Sequence, residues 1–159
     1  MTNGCAISLH AGYPRDIAEV DALMATAFDA RFGEAWTHGQ VLGVLAMPGV
    51  RLTLARTDDV PAGFALVRQV LDEAELLLLA VDPAFRRRGI GGALMRQVIA
   101  DAQAGGVAMV HLEVRADNKA SRLYTRHGFA KVAERRGYYR GSDGTVRDAH
   151  SYRRMLTPA

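Results

Sequence analysis

Apolar positions recurring at three- and four-residue intervals mark two amphipathic helices in this chain. Ile17, Val20, Leu23, Met24, Ala27 and Phe28 form the first stripe, and Pro14 stands where a first helical turn tolerates it. Leu94, Val98, Ile99 and Ala102 form the second, closed by Gly105-Gly106. Residues 36–47 predict a weaker helix, interrupted by Gly39 and Gly43 and ended by Pro48-Gly49. Residues 118–127 predict a short one stopped by Gly128. Alternating or continuous apolar runs predict strands at 6–10, 50–55, 63–71, 75–81, 107–114, 129–134 and 149–156. Turns fall at 57–61, 72–74 and 141–144. The run 75–81 is apolar on both faces, as in a strand interior to a sheet. The order βααβββαβαββ predicts an α/β domain around a mixed sheet.

The chain has 159 residues, which predicts one domain, 1–159, with one core. Hydrophobic residues make up 49%, which argues against disorder. The single cysteine, Cys5, excludes an internal disulfide and a cysteine-based metal site. His10, His38, His111, His127 and His150 lack metal-type spacing, so no metal is expected. There is no basic-then-apolar leader and no apolar run long enough to span a bilayer, so a cytoplasmic protein without membrane contact is expected. The formal charge is +3, and eight of the 20 Lys and Arg residues lie between Arg115 and Arg140. That mild excess suits an anionic cofactor or an RNA-rich partner, or is a scatter of solvated arginines, and no direct nucleic-acid contact is expected.

The chemistry concentrates in Arg86-Arg87-Arg88-Gly89-Ile90-Gly91-Gly92-Ala93, between the predicted central strand and the second helix. A glycine-rich turn opening a helix leaves unpaired N–H groups at a positive helix terminus, where a phosphate can sit. Arginines add bidentate phosphate contacts. No Gly-Lys-Ser/Thr follows, so this is not a P-loop, and the third glycine of a dinucleotide fingerprint is missing.

Arg-x-x-Gly-x-Gly resembles the pyrophosphate-binding motif of the GNAT superfamily of N-acetyltransferases. Three segments extend the likeness over most of the chain. They are Leu76 to Met95 with its Val81-Asp82-Pro83, then Leu112-Glu113-Val114-Arg115-Ala116-Asp117-Asn118 with Leu123-Tyr124 and Gly128-Phe129, and finally Arg136-Gly137-Tyr138-Tyr139 with Asp143-Gly144 and Asp148-Ala149. The second and third segments, with Trp36 and Asp72-Glu73-Ala74, look like the bacterial RimI type. Asn118 and Tyr124 stand one residue closer together than is usual in that type, which shifts the start of the intervening helix.

The resemblance implies a GNAT fold: a mixed, mostly antiparallel central sheet flanked by about four helices. It implies acetyl-CoA as donor, with CoA as product, and direct attack by an amine in a ternary complex. It implies as acceptor a protein N-terminus, the alanine of a ribosomal protein in the RimI type. A small-molecule amine acetyltransferase and a non-catalytic CoA-binding module are the alternatives on the same fold. For the cofactor, the resemblance points to the backbones of Leu79, Ala80 and Val81, to Arg86, Arg87 and Arg88, to Gly89, Ile90, Gly91, Gly92 and Ala93, and to Asn118. Tyr124 matches the family's general acid and lies against the cofactor. A phenol suits donation to a departing thiolate of similar basicity. Two carboxylates compete as base: Glu113, placed mid-strand where an unpaired charge is costly, and Glu75 at the start of the central strand, where it acts through water or is simply a strand-end carboxylate in solvent. An ion pair between Glu113 and Arg115 or another arginine is the structural alternative for Glu113. Trp36, Tyr138 and Tyr139 are expected to line the acceptor side.

Overall fold

The computed structural model describes residues 6–157, so Cys5 lies outside the described residues. Among these are seven strands in one sheet: β1 (Ile7–Gly12), β2 (Val50–Thr57), β3 (Val60–Val70), β4 (Glu73–Val81), β5 (Met109–Arg115), β6 (Ala130–Arg140) and β7 (Val146–Met155). Four α-helices accompany them: α1 (Ile17–Ala27), α2 (His38–Leu45), α3 (Ile90–Ala104) and α4 (Ser121–Arg126). The spatial order is β1-β2-β3-β4-β5-β7-β6, and every neighbouring pair is antiparallel except β4 with β5. The mixed, mostly antiparallel sheet expected from the resemblance is present.

Several boundaries differ from the sequence reading, each for a local reason. Pro14 opens a one-turn 3-10 helix, and α1 begins only at Ile17. Phe28 falls just past its end in extended backbone. Trp36 lies in the loop before α2, because Thr37 caps that helix by accepting from the Gln40 N–H while the Gln40 side chain accepts from the Thr37 N–H. Gly39 and Gly43 lie inside α2, where a Cβ would meet open space, so they do not interrupt it. The turn before β4 is confined to Leu71 and Asp72, so Glu73 and Ala74 belong to the strand and Glu75 is two residues inside it. β5 starts at Met109, later than expected. β6 runs on to Arg140, and β7 starts at Val146, so the last hairpin is longer than its apolar content shows.

The two faces of the sheet bury separate clusters. On one face α3 packs Ile90, Leu94, Met95, Val98, Ile99 and Ala102 over β3 and β4, in a cluster joined by Tyr124, Phe129 and Tyr152. On the other, α1 and α2 cover Leu52, Leu54, Phe64, Leu66, Leu78 and Ala80 with Val20, Leu23, Met24 and Val41. β4 serves both because it carries an extra residue, Leu77, opposite the Leu66–Val67 step of β3. Ala74 and Leu76 belong to the α3 cluster, while past this bulge Leu78 and Ala80 belong to the α1–α2 cluster. Gly63 brings α3 close to β3: a Cβ there would stand 2.5 Å from the Ala80 carbonyl oxygen and 3.4 Å from Leu94 Cδ1.

Leu94 is fully buried between α3 and the sheet. Leu94→Ala removes its packing and leaves a cavity, at a cost of about 2–5 kcal/mol. Thermal unfolding should show Tm lowered by roughly 5–15 °C, and a shift under 2 °C would contradict this packing.

Candidate active site

β4 and β5 pair only from Glu73 with Met109 to Leu76 with Leu112. Beyond that rung they part. The parallel ladder stops where β4 bulges at Leu77, and the β5-facing backbone groups of the rest of β4 lose their strand partner. At the parting lies an open cleft of about 430 Å³. It is lined by Glu75 to Leu79 of β4, Leu112 to Val114 of β5, Asn118 and Tyr124 around α4, Glu34 and Trp36 of the α1–α2 loop, and Tyr138 to Arg140 of β6.

The cleft thus brings together Glu75, Glu113, Tyr124, Asn118, Leu79, Trp36, Tyr138 and Tyr139, eight of the residues singled out from the sequence. Strand alternation sends Leu112 and Val114 into the α3 cluster and leaves Glu113 on the opposite face. One oxygen of Glu113, Oε2, is 3.5 Å from Arg135 Nη2. The other, Oε1, is buried with no hydrogen-bond partner. Of the arginines expected as an ion-pair partner, its neighbour is thus Arg135 of β6, while Arg115 pairs elsewhere. Glu75 is half-buried on the interior of β4, opposite Arg68 of β3 and His111 of β5, and not a strand-end carboxylate in solvent.

Tyr124 projects from α4 and is buried, with its ring 6.2 Å from that of Phe129 and 6.1 Å from that of Tyr152. Burial pushes its phenol well above the usual tyrosine range, and the nearby Glu34 carboxylate adds to this. Tyr139 is raised in the same way, by burial first and then by Glu34 and Glu113. Tyr138 is half-exposed, perpendicular to Tyr139 at 5.1 Å, with the Arg135 guanidinium 4.6 Å above its ring.

The loop at 86–93 is not part of the cleft wall and continues from the free end of β4. Gly89 precedes α3 in left-handed backbone, φ 84°, and no side chain caps the helix. The first-turn amides of α3 therefore lack a side-chain acceptor. Ile90 and Ala93 send their side chains into the core, so only their backbones can meet a ligand. Gly91 is needed for packing, since a Cβ there would stand 3.1 Å from Leu123 Cδ2 of α4. Arg86 is occupied: its Nη2 donates to the Ala27 carbonyl at the end of α1. Arg87 and Arg88 are exposed, the latter with its guanidinium 5.5 Å over Phe85. Asn118 turns its side-chain oxygen to the Ala120 N–H and its amide to Glu34 Oε2, 3.3 Å away. It holds the turn that leads into α4, which begins at Ser121, and its carbonyl accepts from the Ser121 N–H.

Two residues of the site escape a reading of the sequence. Glu34 is a half-buried loop carboxylate paired with Arg115 Nη1. Burial raises its carboxyl above the ordinary range, against the lowering pull of Arg115 and Asn118. Arg115, the only buried cation among the described residues, also donates to Asp117 and stacks 3.6 Å over Phe32. Glu34 and Arg115 are 81 positions apart, and no local pattern joins them. Among the described residues no cluster could hold a metal ion, and no helix is long and apolar enough to cross a membrane.

Residues 19–129 match the acetyltransferase (GNAT) family. The chain belongs to that family. It is similar to the ribosomal protein bS18-alanine N-acetyltransferase of Escherichia coli K12, at 46% identity over 84 residues, which cover 52% of this chain and 57% of the relative. The matched region thus spans little more than half of that relative's length. It is also similar to the N-alpha-acetyltransferase RimI of Mycobacterium tuberculosis, at 42% identity over 126 residues and 76% of each chain. The crystal structure of the E. coli ribosomal-protein-S18-alanine N-acetyltransferase superposes with a TM-score of 0.86 at 29% identity, covering 97% of this chain and 96% of that one.

Acetyltransferases of this family use acetyl-CoA. The residues present fit such a group: an uncapped helix terminus behind a left-handed glycine for the phosphates, and an unpaired β4 edge for an extended chain. Gly92 offers a test that leaves the fold intact. A Cβ there meets only the tip of Arg96, at 3.2 Å, and the far edge of His127, at 3.9 Å. A glutamate near a helix N-terminus is itself stabilising. Gly92→Glu should keep Tm within about 2 °C while weakening acetyl-CoA binding at least about tenfold by calorimetry, one charge contact or more. Undiminished affinity would remove the phosphate role of this turn.

Proposed function

We propose that this protein transfers acetyl from acetyl-CoA to the N-terminal amine of a protein beginning with alanine, of the ribosomal kind that the relatives' names specify. The observation that carries the reading is the pairing, across one cleft, of a buried carboxylate oxygen without a partner, Glu113 Oε1, and a buried phenol, Tyr124. Acetyl transfer to an amine needs a group that takes a proton on one side and a group that gives one on the other. Here both stand where the sheet opens.

Bound acetyl-CoA supplies an activated acetyl thioester. Arg87, Arg88 and the backbone amides at 88–92 would hold its phosphates, and the free edge of Leu79, Ala80 and Val81 would align its extended arm. Backbone N–H groups of that edge can also polarise the thioester oxygen. An N-terminal ammonium has a pKa of roughly 7.7–8.0, so its proton leaves with modest help. Glu113 Oε1 accepts it. The freed amine attacks the thioester carbon, the carbon–sulfur bond breaks, and Tyr124 Oη, a phenol protonated at neutral pH, donates to the departing sulfur and is restored by the second proton shed from the new amide nitrogen. Glu75 lies in the same cleft and reaches an acceptor through water. Trp36, Tyr138 and Tyr139 form apolar and hydrogen-bonding walls for the first residues of a peptide.

The deciding experiment offers acetyl-CoA with an alanine-starting peptide, in parallel with polyamines and aminoglycosides, and reads acetylated product by mass spectrometry. Acetylation of the peptide's α-amine in preference to the small amines is expected. Turnover of the small amines alone would make the protein a small-molecule acetyltransferase.

Two sets of variants assign the protons. Tyr124→Phe removes only a hydroxyl, and turnover should fall about 10²–10⁴-fold with acetyl-CoA affinity unchanged. Turnover within twofold of the parent would exclude Tyr124 as the acid. Glu113→Gln should lower kcat/KM about 10²-fold, the low end for a general base, and Glu75→Gln should do little. The reverse ranking transfers the role to Glu75.

A further inference from the structure

The Glu34–Arg115 ion pair is used by no step of the proposed reaction, yet three parts of the molecule meet at it. Glu34 belongs to the loop between α1 and α2, which also carries Phe32 and Trp36. Arg115 ends β5, and its guanidinium pairs with Glu34 and with Asp117 while covering the Phe32 ring at 3.6 Å. Arg147 of β7 stands over the same ring at 4.8 Å and is 3.4 Å from Asp117.

From Glu34 a chain of hydrogen bonds leads to the general acid. Asn118 Nδ2 donates to Glu34 Oε2 at 3.3 Å, the Ala120 N–H donates to Asn118 Oδ1 at 2.9 Å, and the Tyr124 N–H donates to the Ala120 carbonyl at 3.1 Å. The loop is held from a second side by backbone contact. A Cβ on Gly33 would stand 2.5 Å from the Arg140 carbonyl oxygen, and one on Gly141 would strike the Arg31 carbonyl oxygen. A buried pair is a poor source of net stability against an apolar replacement, and its better use is to select one arrangement of the parts that it joins.

We propose that Glu34 is a positioning residue: through Arg115 and Asn118 it locks the Trp36 loop, one wall of the acceptor cleft, in register with the helix that carries Tyr124. This rests on the reading of the cleft as an acceptor site. The loop side of that cleft depends on the lock. The turn at 86–92 and the β4 edge make none of these contacts, so the lock acts on the acceptor side first and reaches acetyl-CoA only through Asn118 and Tyr124.

Trp36 is the single tryptophan of the chain, so its fluorescence reports on this loop without any substrate. Glu34→Gln keeps size and an acceptor for Asn118 but removes the charge opposite Arg115. Expected are an acrylamide quenching constant for Trp36 raised about twofold, an acceptor-peptide KM raised about tenfold, and an acetyl-CoA KM within about twofold of the parent, the size of effect that a small misplacement of one wall produces. The double variant Glu34→Gln/Arg115→Met leaves no uncompensated buried charge. It should match Glu34→Gln alone within about twofold in either readout, because methionine keeps an apolar cover on Phe32 and Arg147 still contacts that ring and Asp117. If Glu34→Gln alone fails to fold, the double variant carries both measurements. Unchanged quenching, or acceptor and acetyl-CoA KM values rising together in step with a lowered Tm, would reduce the pair to a purely structural role. If the parent does not acetylate the peptide, the acceptor reading fails, and the quenching of Trp36 still decides whether Glu34 holds the loop.

Discussion

Everything functional in this molecule depends on the point where β4 and β5 stop pairing. A parallel ladder continued to the ends of both strands would bury their backbone groups and close the sheet. Here it ends after Leu76 and Leu112. Buried N–H and C=O groups must be paired somewhere, so an opened ladder inside a sheet calls for a ligand or water in the gap. The bulge at Leu77 makes the opening compatible with a packed core. It exchanges the faces of β4, so that the same strand supports α3 before the opening and α1 and α2 after it.

Two of the half-buried carboxylates of the cleft, Glu34 and Glu113, are treated in opposite ways. Glu34 is given a guanidinium and an amide, which occupy both of its oxygens. Glu113 has one oxygen near a single exposed arginine and the other turned to no partner. A satisfied carboxylate organises structure, whereas an unsatisfied one waits for a proton or an ammonium. Tyr124 fits the same division. Its ring is packed among aromatic neighbours, and burial with a neighbouring negative charge keeps its proton in place.

Local chemistry in the sequence made much of this legible. The stripe from Ile17 to Ala27 and that from Leu94 to Ala102 became α1 and α3, and the doubly apolar run became the central strand β4. Glu113, Tyr124, Trp36 and the two tyrosines do meet in one cleft. What stayed hidden is non-local. The insertion of β7 between β5 and β6 follows from pairing preferences over 25 residues or more, which no window of alternation records. The bulge at Leu77 is invisible inside Leu76 to Leu79, because four leucines read the same in either register. Arg86 looked like a phosphate ligand by composition, and only the structure shows it tied to the last turn of α1. The long β6 was underestimated because it is an edge strand, exposed along nearly its whole length and therefore poor in apolar signal.

A fold similarity of 0.86 in TM-score at 29% identity has a physical basis in how such a site is built. A helix terminus and an open strand edge bind through the main chain, and many side chains permit the same main chain. Side-chain identity is demanded only where the backbone cannot serve. Gly89 must allow a left-handed turn, and Gly91 must let α4 approach α3. In the proposed reaction a carboxylate and a phenol must face the gap. The proposed acceptor wall is under a different constraint, because it is a loop and has no ladder of its own to define its position. An ion pair reaching from that loop to the end of β5 and, through Asn118, to the helix of Tyr124 supplies the missing register. Residues of this kind touch no substrate and carry no motif, so they are found by following hydrogen bonds outward from the site.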